Sequence, residues 1–237
     1  MSMAFISDLH LEPTESKRVK VFFQFLDSAI DKYKELYILG DFFEYWIGDD
    51  DMQAINKLIM QKLKSATNSG LKIYFIHGNR DFLVGSKFET ETGVEILKDQ
   101  YILNIEDKKI MIAHGDTFCI DDIEYQEMKK EIRSDSWKED FLAKSIDERI
   151  NFADSLRAKS KKRNSNKPEN IMDVNNEYVL KVIQREKIDI LIHGHTHRPA
   201  IHKLPNGSIR AVLGSWEKDG WVAEYIRHNI ELSSFSM

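Results

Sequence analysis

The chain has 237 residues, 42% of them hydrophobic and 31% charged, an ordinary globular composition that excludes global disorder. Such a length predicts one domain carrying an insertion, with enough apolar surface to bury a core without crosslinks. The 34 basic and 39 acidic residues leave a net charge of −5, which argues against a uniformly basic nucleic-acid binder, and the lone cysteine, Cys119, excludes an intrachain disulfide and fits a small buried core position in a reducing compartment.

The first residues have no basic segment and meet Asp8 almost at once, so no signal peptide is expected. No apolar run approaches the ~18 residues of a membrane span. A cytoplasmic protein is the expectation.

In chain order, a strand is predicted over residues 3–7, ending at Asp8-Leu9-His10. A helix follows over 19–33, with Val19, Phe22, Phe23, Leu26, Ala29 and Ile30 at helical spacing. A strand at 36–39 ends at Gly40-Asp41, and a helix over 52–66 carries Ile55, Leu58, Ile59 and Leu63. Strands at 72–76, 109–113 and 188–192 end at His77-Gly78-Asn79-Arg80-Asp81, at His114-Gly115-Asp116 and at His193-Gly194-His195-Thr196-His197. The first four clusters recur at about the ~30 residues of a strand–helix–strand unit. The much longer stretch between His114 and His195 implies an insertion, with helices from about 121 to 167, a break at Pro168 and another helix over 169–186. Strands at 209–213, 221–226 and 229–232 close the chain and are expected to form a second sheet packed on the first. Strands alternating with helices mean α/β architecture, in which ligands bind beyond the carboxyl ends of the strands. All five polar clusters sit at such ends.

Taken as ligands, Asp8, His10, Asp41, Asn79, His114, His195 and His197 offer oxygen and nitrogen donors and no thiolate, a set suited to Mn²⁺, Fe²⁺ or Zn²⁺. Seven donors exceed one tetrahedral ion and suit two ions sharing a carboxylate. Paired ions ~3.5–4 Å apart are a standard device for attack on phosphorus, because they acidify water and offset phosphoryl charge. Each motif alone has a plain structural reading, as a turn or a loop histidine; five in this order after apolar strands do not.

This ordered set resembles the calcineurin-like metallophosphoesterase superfamily over nearly the whole chain. The resemblance implies a two-sheet β-sandwich flanked by helices with a dimetal site at one edge. It assigns Asp8, His10, Asp41 and His197 to one ion and Asp41, Asn79, His114 and His195 to the other, with Asp41 as the bridge. Most of that superfamily carries Gly-Asn-His, whereas this chain has Gly78-Asn79-Arg80. An arginine cannot exchange its proton but can clamp phosphate oxygens, which favours a pyrophosphate whose leaving group needs little protonation.

Together with Gly40–Asp50, Ile171-Met172-Asp173-Val174-Asn175 and Gly194–Pro199, that departure resembles the branch whose members cleave UDP-2,3-diacylglucosamine in the lipid A pathway. The branch implies attack at the α-phosphorus, UMP and a diacylglucosamine 1-phosphate as products, and two Mn²⁺ ions, although other divalent metals are open. Arg80, Asp41 and His195 would serve catalysis. Asn79, Arg80, Asp122, Ser160, Asn164, Lys167 and His195 would bind substrate. A metallophosphoesterase core at 1–120 and 170–237 would carry a helical cap at 121–169. The substrate class implies a peripheral seat on the cytoplasmic face of the inner membrane, with no nucleic acid and no obligate protein partner.

The insertion runs Arg157, Lys159, Lys161, Lys162, Arg163 and Lys167 without an acid, which reads as a solvated helix end or as a surface for anionic headgroups. The stripe Ile146, Ile150, Ala153 and Leu156 fits an acyl-chain groove and plain helix packing equally. The aromatic run Phe42-Phe43-Glu44-Tyr45-Trp46 reads as core packing beside the metals ahead of stacking on uracil. A soluble nucleotide pyrophosphatase or phosphodiesterase would share every metal ligand. A binding scaffold should show eroded ligands, and a nuclease fits poorly with the net charge.

Overall fold

A computed structural model describes residues 2–12, 14, 16–51, 53–164 and 173–237, with the backbone alone for 159–164. Two sheets stack face to face. The first follows the order β11 (Asn229–Ser236), β10 (Asp219–Ile226), β1 (Met3–Ile6), β2 (Glu35–Ile38), β3 (Lys72–Phe75) and β4 (Glu95–Ile96). The second follows β5 (Gln100–Ile105), β6 (Lys108–Ala113), β7 (Ile190–His193), β9 (Ile209–Val212) and β8 (Ala200–Lys203). Strands β1, β2 and β3 are mutually parallel, as are β6, β7 and β9.

The alternation of side chains along each strand builds the layers. Met3 and Phe5 of β1 face the sandwich interior with Tyr37, Ile110, Ile112, Ile190 and Ile192. Ala4 and Ile6 face the other way, against α1 (Lys17–Lys32) and α2 (Ala54–Asn68), which present Phe22, Leu26, Ile59 and Leu63. Burial on both faces is why β1 reads as a continuous apolar run. On the outer face of the second sheet, Met111 and Leu191 meet Val179, Val182 and Ile183 of α7 (Asn176–Glu186).

The C-terminal strands divide differently from the expectation. Of the three expected strands only β9 joins the second sheet, together with β6 and β7, while β10 pairs antiparallel with β1 and carries β11 onto the first sheet. Periodicity marks these segments as strands but does not select a neighbour. The buried Trp216 fixes the choice: its backbone N–H donates to the Asp8 carbonyl at 3.1 Å, and its Nε1 donates to the Trp221 carbonyl at 3.1 Å. Helix α7 begins at Asn176, because Asn175 caps it by accepting from the Tyr178 N–H at 2.9 Å. The expected helical start at 169–172 lies outside the described residues, and Asp173–Asn175 are not helical. Strands β4, β5 and β8 and helix α3 (Ser86–Thr92) were not expected.

Helices α4 (Ile123–Ile132), α5 (Asp135–Leu142) and α6 (Ile146–Asn164) fill the insertion. Ile146, Ile150 and Ala153 pack against the main core with Trp137 and Phe152, so these members of the stripe serve helix packing. The buried Arg149 of α6 donates to the Ile47 carbonyl at 2.7 Å and pairs with Asp50, anchoring the insertion to the loop after β2.

Phe5 stacks on Tyr37 at 5.0 Å in the sandwich interior. Phe5→Ala is expected to cost about 3–5 kcal/mol by transfer and cavity terms, read as a lower midpoint in chemical denaturation. A loss below about 1 kcal/mol would contradict this packing.

Candidate functional site

The aligned strand ends bring all seven sequence-predicted donors to one edge of the sandwich. At five of them the backbone turns into the left-handed region: Asp8 (φ 55°), His10 (φ 49°), Asp41 (φ 50°), His195 (φ 67°) and His197 (φ 55°). Such residues cost of order 1–3 kcal/mol each when they carry a side chain, and they cluster where function holds them. Glycines make the close approaches possible. A Cβ on Gly78 would lie 2.2 Å from Asp41 N and Oδ1, and one on Gly194 would lie 2.2 Å from Asp8 Oδ2.

His197 Nε2 lies 3.2 Å from Asp8 Oδ1 and 3.4 Å from His10 Nε2. Nearby, Asn79 Oδ1 is 2.9 Å from His114 Nε2 and 3.0 Å from His195 Nδ1. His114 Nε2 reaches to 3.8 Å from Asp41 Oδ1. Ligand atoms of Asp8, His10 and His197 fall within 4.8 Å of one another, as do those of Asp8, Asp41 and His114. His114 Nδ1 faces the Leu39 carbonyl at 2.8 Å, and a carbonyl only accepts, so Nδ1 carries the proton and Nε2 presents its lone pair.

The electrostatics fit a cation. Burial pushes His10 and His195 down to about 4, which keeps both imidazoles neutral and able to donate electron pairs. Burial would lower His114 as well, but the Asp41, Asp8 and Asp116 carboxylates outweigh it and raise that group. Burial alone would raise Asp8. The hydrogen bond and charge of His197, with His114 and His10, reverse that and hold it well below the usual carboxylate range. Buried carboxylates and neutral imidazoles meeting at one point form a hard–borderline donor set without a thiolate.

The calcineurin-like phosphoesterase sequence profile matches residues 1–199, the span holding every one of these donors. The chain belongs to the calcineurin-like phosphoesterase family. Membership makes it a hydrolase and implies two metal ions, for which this donor set is suited. A relative from Haemophilus influenzae (strain PittGG), named UDP-2,3-diacylglucosamine hydrolase, is 41% identical over 215 residues, covering 91% of this chain and 90% of its own. One of the same name from Yersinia pseudotuberculosis serotype O:1b (strain IP 31758) is 40% identical over 238 residues, covering 99% of both. A solved structure described as a novel archaeal phosphodiesterase shares the fold, with a TM-score of 0.53 at 14% identity and complete coverage of both chains.

Against this family frame, Arg80 stands beside the donors, half-buried. Its backbone N–H donates to Asp41 Oδ1 at 2.9 Å, and its guanidinium pairs with Glu44 and lies 3.6 Å from Asp41. Glu44 had no role in the sequence reading, yet it is buried and also receives Arg157 at 2.7 Å and faces His10 Nδ1 at 3.6 Å. The only signal for it was an acid set in an aromatic run. Phe42, Phe43 and Trp46 of that run are buried core, as expected. Asp81 was also missed. Fully buried, it accepts from the Phe42 N–H at 2.7 Å and the Gly78 N–H at 2.8 Å, and burial with the nearby Asp41 charge pushes it up to about 7.

Asp116 accepts from the Tyr125 hydroxyl at 2.7 Å and pairs with Lys129 at 2.8 Å, which pins α4 against the site. Asp122 caps α4, accepting from the Tyr125 N–H at 3.2 Å. The side chains of Ser160 and Asn164, and all of Lys167, lie outside the described residues.

Asp81→Asn would turn an amide N–H₂ toward donors, and a loss of about 1–3 kcal/mol is expected in denaturant unfolding. An unchanged midpoint would remove Asp81 as the tie between the two loops. Burial pushes the Cys119 thiol up to about 12, so the thiolate is scarce at pH 8. Native protein should resist iodoacetamide there, and fast labelling without unfolding would contradict that burial.

Proposed function

We propose that this chain hydrolyses the pyrophosphate of UDP-2,3-diacylglucosamine at the α-phosphorus. The products would be UMP and 2,3-diacylglucosamine 1-phosphate (lipid X), as a step of lipid A biosynthesis. The observation that carries the reading is Arg80 set against the seven-donor cluster. It occupies the place where a proton-exchanging histidine would assist a poor leaving group. A permanently charged fork can offset phosphate charge but cannot deliver a proton, so the departing group must be a stable anion, as a phosphate monoester is. The names of relatives near 40% identity over nearly the full chain support the same substrate.

Asp8, His10, Asp41 and His197 would hold one Mn²⁺ and Asp41, Asn79, His114 and His195 the other, with Asp41 shared. When bound, the ions supply Lewis acidity that makes water nucleophilic near neutral pH and offsets charge on the phosphoryl oxygens. The chain itself does the positioning. Glu44 fixes one edge of the Arg80 guanidinium and leaves the remaining N–H groups for substrate oxygens. His195 assists Arg80 from across the cluster. Asp122, Ser160, Asn164 and Lys167 would take the glucosamine side.

Among the described residues no helix is long and apolar enough to cross a membrane. A peripheral seat on the cytoplasmic face of the inner membrane is proposed from the substrate. The exposed Ile120 just before α4 and Ile123 at its first position support it.

The test is product release from UDP-2,3-diacylglucosamine after EDTA stripping, with and without Mn²⁺, in ¹⁸O-labelled water. UMP appearing only with metal and carrying the label is the expected result. Cleavage of soluble phosphodiesters without UMP release would move the function to a soluble nucleotide phosphodiesterase. Asp41→Ala should abolish turnover and reduce bound metal. Arg80→Ala should lower kcat by about 10²-fold or more with metal content unchanged. Unaltered turnover in Arg80→Ala would dismiss the clamp.

A further inference from the structure

The outer edge of the second sheet carries a charged cavity that the hydrolytic site does not use. Its volume is about 260 Å³, and Arg210, His202, Arg198, Asp173 and Thr196 are among its lining residues. His202 of β8 and Arg210 of β9 stand directly opposite each other in the antiparallel register, so both side chains rise from the same face.

Arg210 is only 7% exposed, and its Nε and Nη1 have no hydrogen-bond partner among the described residues. A buried guanidinium without a counter-ion is costly. The contrast within this chain is direct. Arg149, the other buried arginine among the described residues, is paired with Asp50. The acid among the described lining residues is engaged by other donors: Asp173 Oδ2 accepts from Arg198 at 2.7 Å and Oδ1 from the Val174 N–H at 2.7 Å, so its charge acts on Arg210 without a hydrogen bond between them. Burial and the Arg210 charge lower His202 against the opposing charge of Asp173, and its ring offers an N–H donor in either protonation state. Among the described lining residues, two guanidinium groups, Arg198 and Arg210, share one carboxylate, Asp173.

We propose that this cavity binds a phosphate-class oxyanion, with Arg210 as its counter-charge and His202 as a second donor. The guanidinium fork matches the spacing of phosphate oxygens. A tetrahedral anion presents oxygens in several directions, so one that meets Arg210 has others left for the rest of the lining, which includes His202 and Thr196. The volume is ample for an ion of phosphate size. Thr196 lies between His195 and His197, so an anion here borders the loop that carries two of the seven donors.

The test reads the His202 ring resonance by NMR in Mg²⁺-loaded full-length protein, assigned through His202→Gln. Inorganic phosphate is titrated against chloride at matched ionic strength. The resonance is expected to move saturably in the parent protein and in Arg80→Ala, and the apparent affinity should fall about tenfold or more in Arg210→Leu. If Arg210→Leu does not fold, Arg210→Lys keeps the charge, loses the fork and should bind several-fold more weakly. Vesicles of phosphatidylcholine with phosphatidic acid form the second arm. An Arg210-dependent shift with vesicles assigns a lipid headgroup, and a shift with inorganic phosphate alone assigns a soluble phosphate. A resonance unmoved by either, or moved equally in the folded Arg210 variants, overturns the proposal.

Discussion

Two glycines that approach their neighbours closer than a methyl group allows hold this site together. Gly78 lies against Asp41, and Gly194 lies against Ser7 and Asp8, with no room for a Cβ at either contact. These contacts draw the loop after β3 onto the loop after β2, and the loop after β7 onto the loop after β1. Because the strands are rigid and buried, the loops can close only by turning sharply, and Asp8, His10, Asp41, His195 and His197 absorb the turn in left-handed backbone. The strain and the donor geometry are therefore one feature. Relaxing the backbone would swing the ligands away from one another.

The electrostatic design follows from that closure. Buried carboxylates and imidazoles at such short range are mutually stabilising only through positive charge. Without it, His114 is raised by its acidic neighbours and Asp8 is lowered by its histidines. Arg80 and Arg157 extend the positive charge outward, and Glu44 gathers both. On the proposed function, a substrate phosphate would meet a graded field, with metal charge inside and guanidinium charge at the rim.

Much of this was legible in the sequence because strand ends are local signals. An apolar run stopping at Asp-x-His or Gly-His-x-His states which element carries the donors and where they emerge. What was hidden depends on partners distant in sequence. The periodicity of residues 221–226 announces a strand, but only the seating of Trp216 against Asp8 places β10 beside β1 rather than in the second sheet. Glu44 and Asp81 have roles set by what lies across the loop, so an acid among aromatics and an acid after Asn-Arg look alike from the sequence. Strand β8 is half-exposed and ends in His202 and Lys203, which blurs the apolar run that marked the others, and β5 carries Tyr101-Ile102-Leu103 but ends at Asn104-Ile105 without a donor cluster.

The pairing of β1 with β10 also has a kinetic side. Asp8 and His10 emerge early in synthesis, but the strand that flanks them is more than two hundred residues away in the chain, and His195 and His197 also come late. Such long-range pairing is slow, since loop closure precedes its reward. A nascent chain can therefore display five of the seven donors without the geometry to grip an ion tightly. The assembled donor set is thus a property of the closed sandwich, in which the first strand and the late strands are already joined.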